Sequence, residues 1–220
     1  MGIKALIFDF DGLLMDTETT LLDSWRQLWR WHGLTLDETR FFADHGGNIS
    51  EARYAELAAA VGPAFDRTAG DTRRTAYRDE LHRTLGLAPG IATWLAEAED
   101  AGLRLAVASS SARIWLTTNL ERTGDLPRFE VLAGGDEVAA PKPDPAVYLL
   151  ALQRLGLQPS EALAFEDTPH GVTAATRAGL RCVAIPNAHT DPSRFPHATL
   201  LLPTATAAAL PDVLTQINTW

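Results

Sequence analysis

The chain has 220 residues, of which 46% are hydrophobic, which suffices for one globular unit or for a core domain with a modest second one and excludes a disordered, collagen-like or coiled-coil chain. Its 28 acidic residues outnumber 19 basic ones and give a net charge of -9, so we expect no surface that grips nucleic acid or an anionic membrane. No apolar run approaches about 18 residues, and the single cysteine, Cys182, allows no intrachain disulfide. These features predict a cytoplasmic monomer or weak dimer.

The first predicted element is a short buried strand over residues 4–10, which ends in carboxylates and a glycine. Beyond it, apolar residues recur at intervals of three and four, which is typical of amphipathic helices. The predicted helices span residues 17–33, 50–60 and 64–85. No strand pattern occurs between residues 17 and 86, so this stretch is predicted to be all-helical.

After residue 86 the pattern alternates between helices and short apolar strands. The predicted strands span residues 103–108, 129–133, 162–165 and 181–185, with an edge strand at 200–202. Such alternation favours a Rossmann-like α/β fold, in which helices cover both faces of a parallel sheet. Residues 1–16 and 87–220 would form this three-layer core, and residues 17–86 would be an all-helical cap domain inserted into it.

Polar residues follow the predicted strands, where ligands of such sheets bind. Asp9 and Asp11 end the first strand, and Glu166 and Asp167 end another. Four converging carboxylates would repel one another, so we expect a hard cation such as Mg²⁺ among them. The alternative is that these acids only cap the helices that follow.

Two further segments carry candidate phosphate ligands. Ser109 and Ser110 follow a strand and precede a helix, an arrangement that suits either phosphate binding or a simple helix cap. Lys142 stands between two prolines, an unusual place for a solvated charge, and could neutralise the acids and a phosphate.

Taken together, these segments resemble the four motifs of the haloacid dehalogenase superfamily, of the kind found in capped phosphatases and β-phosphoglucomutases. Residues 9–18, DFDGLLMDTE, resemble the first motif. Ser109 matches the second motif, Lys142 the third, and FEDT at residues 165–168 the fourth. The four matches occur in the family's order and extend over residues 4–186.

The resemblance implies phosphoryl transfer through an aspartyl-phosphate. Asp9 would be the nucleophile, and Asp11 would protonate the leaving oxygen and then activate water. Mg²⁺ would be held by Asp9, the Asp11 main-chain carbonyl and Asp167, with Glu166 a direct or indirect ligand. Ser109, Ser110 and Lys142 would bind the phosphate. The implied activity is Mg²⁺-dependent hydrolysis of a small phosphorylated metabolite of the sugar phosphate type.

Individual residues distinguish between the other activities found in this family. Asp11 argues against dehalogenation, and the absence of lysine from residues 17–86 argues against phosphonate cleavage through a Schiff base. A phosphosugar mutase like β-phosphoglucomutase is the closer rival. It is disfavoured because Leu21 stands where those enzymes carry a histidine. A non-catalytic protein that binds a phosphometabolite or a partner on the same fold is the third alternative.

The cap would close over the site and select the substrate. Several of the candidate selecting residues also have plainer roles: Trp25 could pack in a core, His45 could be a loop residue, and Arg113 could be solvated. The full candidate set is Thr17, Trp25, His45, Asn48, Arg73 and Arg113.

Overall fold

The computed structural model describes residues 2–43, 50–187 and 190–218, and it divides into two compact units. One unit is formed by Met1–Asp16 together with Gly86–Trp220, and the other by Thr17–Leu85. We refer to them as the α/β unit and the helical unit. None of the helices in the described ranges combines the length and hydropathy that a membrane crossing requires.

The α/β unit is built on a six-stranded parallel sheet with the strand order β3-β2-β1-β4-β5-β6. Its strands are β1 (Ala5–Phe8), β2 (Arg104–Ala108), β3 (Val131–Ala133), β4 (Ala162–Glu166), β5 (Arg181–Ala184) and β6 (Leu200–Leu201). β1 and β4 are buried along their whole length, which is why their sequences are continuous apolar runs rather than alternating ones. The predicted α/β fold class is confirmed.

In the described part of the chain, five helices of this unit connect or follow the strands. Two of them end at a glycine, and a third begins at a threonine that caps it. Gly124 and Gly156 stop their helices in the left-handed conformation, and the Thr168 hydroxyl accepts a hydrogen bond from the Gly171 amide at the start of another. Helices α1 to α4 belong to the helical unit described below. The helices of the α/β unit are α5 (Ile91–Asp100), α6 (Arg113–Thr123), α7 (Ala146–Leu155), α8 (Pro169–Arg177) and α9 (Leu210–Asn218).

Within described residues 17–43 and 50–85, the helical unit contains four helices and no strand. They are α1 (Thr17–Trp31), α2 (Glu38–Ala43), α3 (Ser50–Val61) and α4 (Arg67–Thr84). The apolar stripe of α1, which includes Trp25, packs into a small core with Tyr54 and Leu57 of α3. The sequence did not predict α2.

Candidate active site

The carboxyl ends of β1, β2 and β4 bring the predicted polar residues together, because these strands are neighbours in the sheet. The Asp9 amide donates to the Phe165 carbonyl oxygen at 2.9 Å and extends the pairing of β1 with β4 by one residue. The rings of Phe8 and Phe165 stack beneath this point with centroids 4.8 Å apart. Asp9 therefore lies beside Glu166, the last residue of β4.

Asp9, Glu166 and Asp167 form a compact acidic cluster. One carboxylate oxygen from each lies within 4.8 Å of the others, and all three side chains are buried. Buried carboxylates are costly unless a cation compensates them, and oxygen ligands are those that Mg²⁺ and Ca²⁺ prefer. The three residues thus fit a divalent cation.

Lys142 contacts this cluster directly. Its Nζ lies 2.8 Å from Asp9 Oδ1 and 2.6 Å from Glu166 Oε1, and it also donates to the Ala108 carbonyl oxygen at 2.9 Å. Burial alone would lower the pKa of Lys142, but the charges of Asp9 and Glu166 outweigh burial and raise the pKa above its usual value. Lys142 is therefore a fixed positive charge at the end of β1.

Tyr148, on α7, completes the surroundings of Glu166 and was not predicted. Its hydroxyl donates to Glu166 Oε1 at 2.6 Å, and burial raises the pKa of Tyr148 well above its usual value, so it remains a neutral donor. Burial also raises the pKa of Glu166, to about 7. The sequence did not predict this contact, because a tyrosine among the apolar residues of a helix is typical of core packing.

The Asp11 carboxylate accepts hydrogen bonds from residues of the β2–α6 connection and of α6. Ser111 Oγ donates to Asp11 Oδ2 at 2.6 Å, and the indole Nε1 of Trp115 donates to Asp11 Oδ1 at 3.1 Å. Gly12, with φ 81°, turns the chain sharply just after Asp11, as only glycine does readily. The two aspartates of the first motif therefore lie in different environments.

Several polar groups of the segment after β2 form hydrogen bonds within the protein. The Ser109 amide donates to the Ala133 carbonyl oxygen, the Ser111 amide donates to Ser109 Oγ, and the Arg113 amide donates to Asp136 Oδ1 at 2.8 Å. Ser109 is buried and Ser110 is exposed. Phosphate binding here would therefore depend on the Ser109 hydroxyl and on Ser110 rather than on the amide of Arg113.

The segment after β3 braces the segment after β2. The Gly135 amide donates to the Ser111 carbonyl oxygen at 2.8 Å, and a Cβ on Gly135 would lie 2.1 Å from the Ser110 carbonyl oxygen. Only glycine allows this approach. Glu137 secures the same turn by accepting from the Gly134 amide at 2.9 Å and from Arg154 at 2.7 Å.

These motifs belong to a known family. Residues 6–185 match the model of the haloacid dehalogenase-like hydrolases. The chain belongs to this family. The resemblance inferred from the four motifs is confirmed.

Relatives of this hydrolase include CbbY proteins and a protein named as a phosphatase. CbbY of Rhodobacter capsulatus is 36% identical over 95% of this chain and 96% of its own length. The validoxylamine A 7′-phosphate phosphatase of Streptomyces hygroscopicus is 30% identical over 96% of this chain and 98% of its own. A crystal structure of a CbbY variant from Rhodobacter sphaeroides with xylulose 1,5-bisphosphate superimposes with a TM-score of 0.67 at 31% identity, covering 92% and 95% of the two chains.

The candidate substrate-selecting residues of this hydrolase lie in varied places. Trp25 is fully buried against Tyr54, with ring centroids 4.6 Å apart, which favours core packing, the plainer of the two roles considered for it, over contact with substrate. Thr17 is also buried, at the first position of α1. Arg73 is exposed and stacks on Trp31, 4.0 Å from the ring centroid.

Arg113 is exposed at the start of α6, and its guanidinium lies 3.5 Å from Glu137. His45 and Asn48 lie outside the described residues. The structure therefore brings together Asp9, Lys142, Glu166 and Asp167, sets Asp11 beside Ser111 and Trp115, and leaves substrate selection without an assigned residue.

Proposed function

We propose that this hydrolase is a Mg²⁺-dependent phosphatase that hydrolyses a small sugar phosphate through an aspartyl-phosphate. The observation that supports this function best is the contrast between Asp9 and Asp11. Asp9 belongs to a buried acidic cluster compensated by Lys142, whereas Asp11 is held by two neutral donors, Ser111 and Trp115. Two carboxylates in different environments suit two different chemical roles.

In the first step a carboxylate oxygen of Asp9 attacks phosphorus, and the bond from phosphorus to the leaving oxygen breaks. Asp11 gives its proton to that oxygen, so the alcohol leaves neutral. In the second step Asp11 takes a proton from water, the water oxygen attacks phosphorus, and the bond to Asp9 breaks. Inorganic phosphate is released and both aspartates return to their starting forms.

Asp9, Asp167 and the Asp11 main-chain carbonyl would hold Mg²⁺, with Glu166 a direct or indirect ligand. When bound, the cation supplies positive charge next to the phosphate oxygens. Lys142 supplies a second positive charge from the protein itself, and its bonds to Asp9, Glu166 and Ala108 fix its position. Ser109 and Ser110 would contact the phosphate from β2.

The substrate class is proposed from the relatives. One relative is named for the phosphate ester validoxylamine A 7′-phosphate, and a CbbY variant binds the sugar bisphosphate xylulose 1,5-bisphosphate. Both alignments cover more than nine-tenths of this chain. A phosphorylated sugar or a close analogue is therefore the class to test first.

The test is hydrolysis of a panel of sugar phosphates and p-nitrophenyl phosphate by the purified protein, with Mg²⁺ and with EDTA. We expect phosphate release that requires the cation, is abolished by Asp9→Asn, and is unchanged by Asp100→Asn, a matched change at an exposed aspartate of α5. A wild type that releases no phosphate from any substrate would refute the proposal and favour a binding protein.

Product analysis separates hydrolysis from the mutase reaction. Conversion of β-glucose 1-phosphate to glucose 6-phosphate without stoichiometric phosphate release would contradict a phosphatase. We expect stoichiometric release, because Leu21 offers no imidazole at the position where β-phosphoglucomutases carry one.

A further inference from the structure

The indole of Trp115 contacts the one carboxylate that the proposed reaction uses to exchange protons. Its Nε1 donates to Asp11 Oδ1 at 3.1 Å, while Ser111 Oγ donates to Asp11 Oδ2 at 2.6 Å. We propose that Trp115 is a positioning residue that fixes the orientation of the Asp11 carboxylate. This inference rests on the proposed function of Asp11.

The two donors differ in what they permit. An indole N–H can only donate, so the oxygen that it contacts must remain an acceptor. A serine hydroxyl can donate or accept, so Oδ2 can keep Ser111 as a partner whether or not it bears a proton. The indole N–H therefore restricts how the Asp11 carboxylate can turn, whichever of its two states Asp11 adopts.

Trp115 is itself fixed by the structure around the start of α6. The Arg113 amide donates to Asp136 Oδ1 at 2.8 Å, and the Asn119 side chain donates to the Trp115 carbonyl oxygen at 2.9 Å. The Gly135 amide holds the Ser111 carbonyl oxygen at 2.8 Å. A tryptophan side chain has only two rotatable bonds, so a braced backbone leaves the indole little freedom.

The kinetic test uses Trp115→Phe, which removes the N–H donor and keeps an aromatic ring. A misoriented acid slows substrates with poor leaving groups, because only these need a proton in the transition state. We expect the kcat/KM for an alkyl sugar phosphate, which reports only the first step, to fall by about 10- to 100-fold. With 2,4-dinitrophenyl phosphate, whose leaving group needs no proton, we expect kcat/KM to fall by less than about threefold.

Trp94→Phe is the matched control. The Trp94 indole donates to the Ala208 carbonyl oxygen at 2.9 Å, so this variant loses a comparable bond that involves neither aspartate, although the Trp94 ring also packs against Phe165. We expect it to lower kcat/KM for both substrates equally or for neither. An equal fall in kcat/KM for both substrates with Trp115→Phe would overturn the inference and show a merely structural role.

A spectroscopic test does not depend on activity. In ¹H–¹⁵N spectra of the tryptophan indoles, the peak missing from Trp115→Phe identifies Trp115. We expect Asp11→Ala to move that peak and to leave the Trp94 indole peak in place. An unmoved Trp115 peak overturns the inference even if the protein is an active phosphatase. A moved peak in a protein without phosphatase activity confirms the contact and refutes the proposed function alone.

Discussion

Gly171 lies in the first turn of α8, where there is no room for a side chain. A Cβ at this position would lie 1.9 Å from Glu166 Oε2 and 2.0 Å from Glu166 Cδ. Relief of this overlap needs a shift of roughly 1 Å or more. The carboxylate cannot retreat freely, because Lys142 and Tyr148 each hold Oε1 at 2.6 Å. Gly171→Ala must therefore displace α8, the acidic cluster or both.

The expected cost follows from these distances. Overpacking of a rigid interior costs about 3 kcal/mol, and the higher helix propensity of alanine returns at most about 1 kcal/mol. For a chain of this size the net loss of about 2–3 kcal/mol lowers the Tm by roughly 5–10 °C. A shift of about 1 Å in the acidic cluster should also reduce phosphate hydrolysis by about a hundredfold.

The assay is thermal unfolding followed by circular dichroism, together with hydrolysis rates. Gly70→Ala is the matched control, because Gly70 is also a helical glycine but a Cβ there would lie 3.4 Å from the Phe65 ring, an ordinary contact. We expect Gly70→Ala to stabilise its helix by about 0.5–1 kcal/mol. If Gly171→Ala instead kept the wild-type Tm and rate, the packing argument would be wrong.

Three further changes test the charges and donors near the site. Lys142→Arg should lower the hydrolysis rate by about a hundredfold, because a planar guanidinium on a longer stem misplaces the charge; a rate within threefold of wild type would contradict this. Tyr148→Phe should reduce the free energy of unfolding in urea by about 1.5–3 kcal/mol, since it removes a hydrogen bond to the buried Glu166 carboxylate; an unchanged value would show that this bond contributes no net stability. The third change concerns Glu137, whose pKa is lowered from 4.5 to about 2, mainly by its hydrogen bonds from Arg154. A carboxylate whose pKa is lower in the folded state than in the unfolded state stabilises the fold at pH values above its unfolded-state pKa. This stabilisation is lost as the pH falls through the folded-state pKa. Glu137→Gln should therefore be about 1–2 kcal/mol less stable than wild type at pH 7, and the difference should shrink at pH 3.5; an equal difference at both pH values in urea unfolding would refute the assignment.

The sequence predicted the parallel sheet because its signals are local. Continuous apolar runs mark strands that are covered on both faces, and charged or polar residues mark their ends. The site residues at those ends, such as Asp9 and Glu166, could be inferred from the same pattern. Parallel neighbours present their carboxyl ends at one edge of a sheet, whatever their separation in sequence.

What the sequence did not predict depends on contacts between distant residues. Trp115 reaches Asp11 across 104 positions, and Tyr148 reaches Glu166 from a helix whose other apolar residues form core. No local pattern distinguishes these aromatic residues from ordinary packing residues.

α2 was missed for a different reason. It has only six residues, too few for a helical period to be recognised, although Asp37 accepts hydrogen bonds from the amides of Thr39 and Arg40 at its start. Trp25, in contrast, lies in the core of the helical unit, as its place on the apolar stripe of α1 indicates.

The position of β1 in the middle of the sheet has a consequence for synthesis on the ribosome. β1 is made before its two neighbours, β2 and β4, which begin only at Arg104 and Ala162. The helical unit, in contrast, is a continuous segment that is complete at Leu85. During translation this segment can fold before Lys142 and Glu166, the partners of Asp9, have been synthesised. The acidic cluster is thus assembled only after Lys142 and Glu166 have been made, although Asp9 precedes the helical unit in the chain.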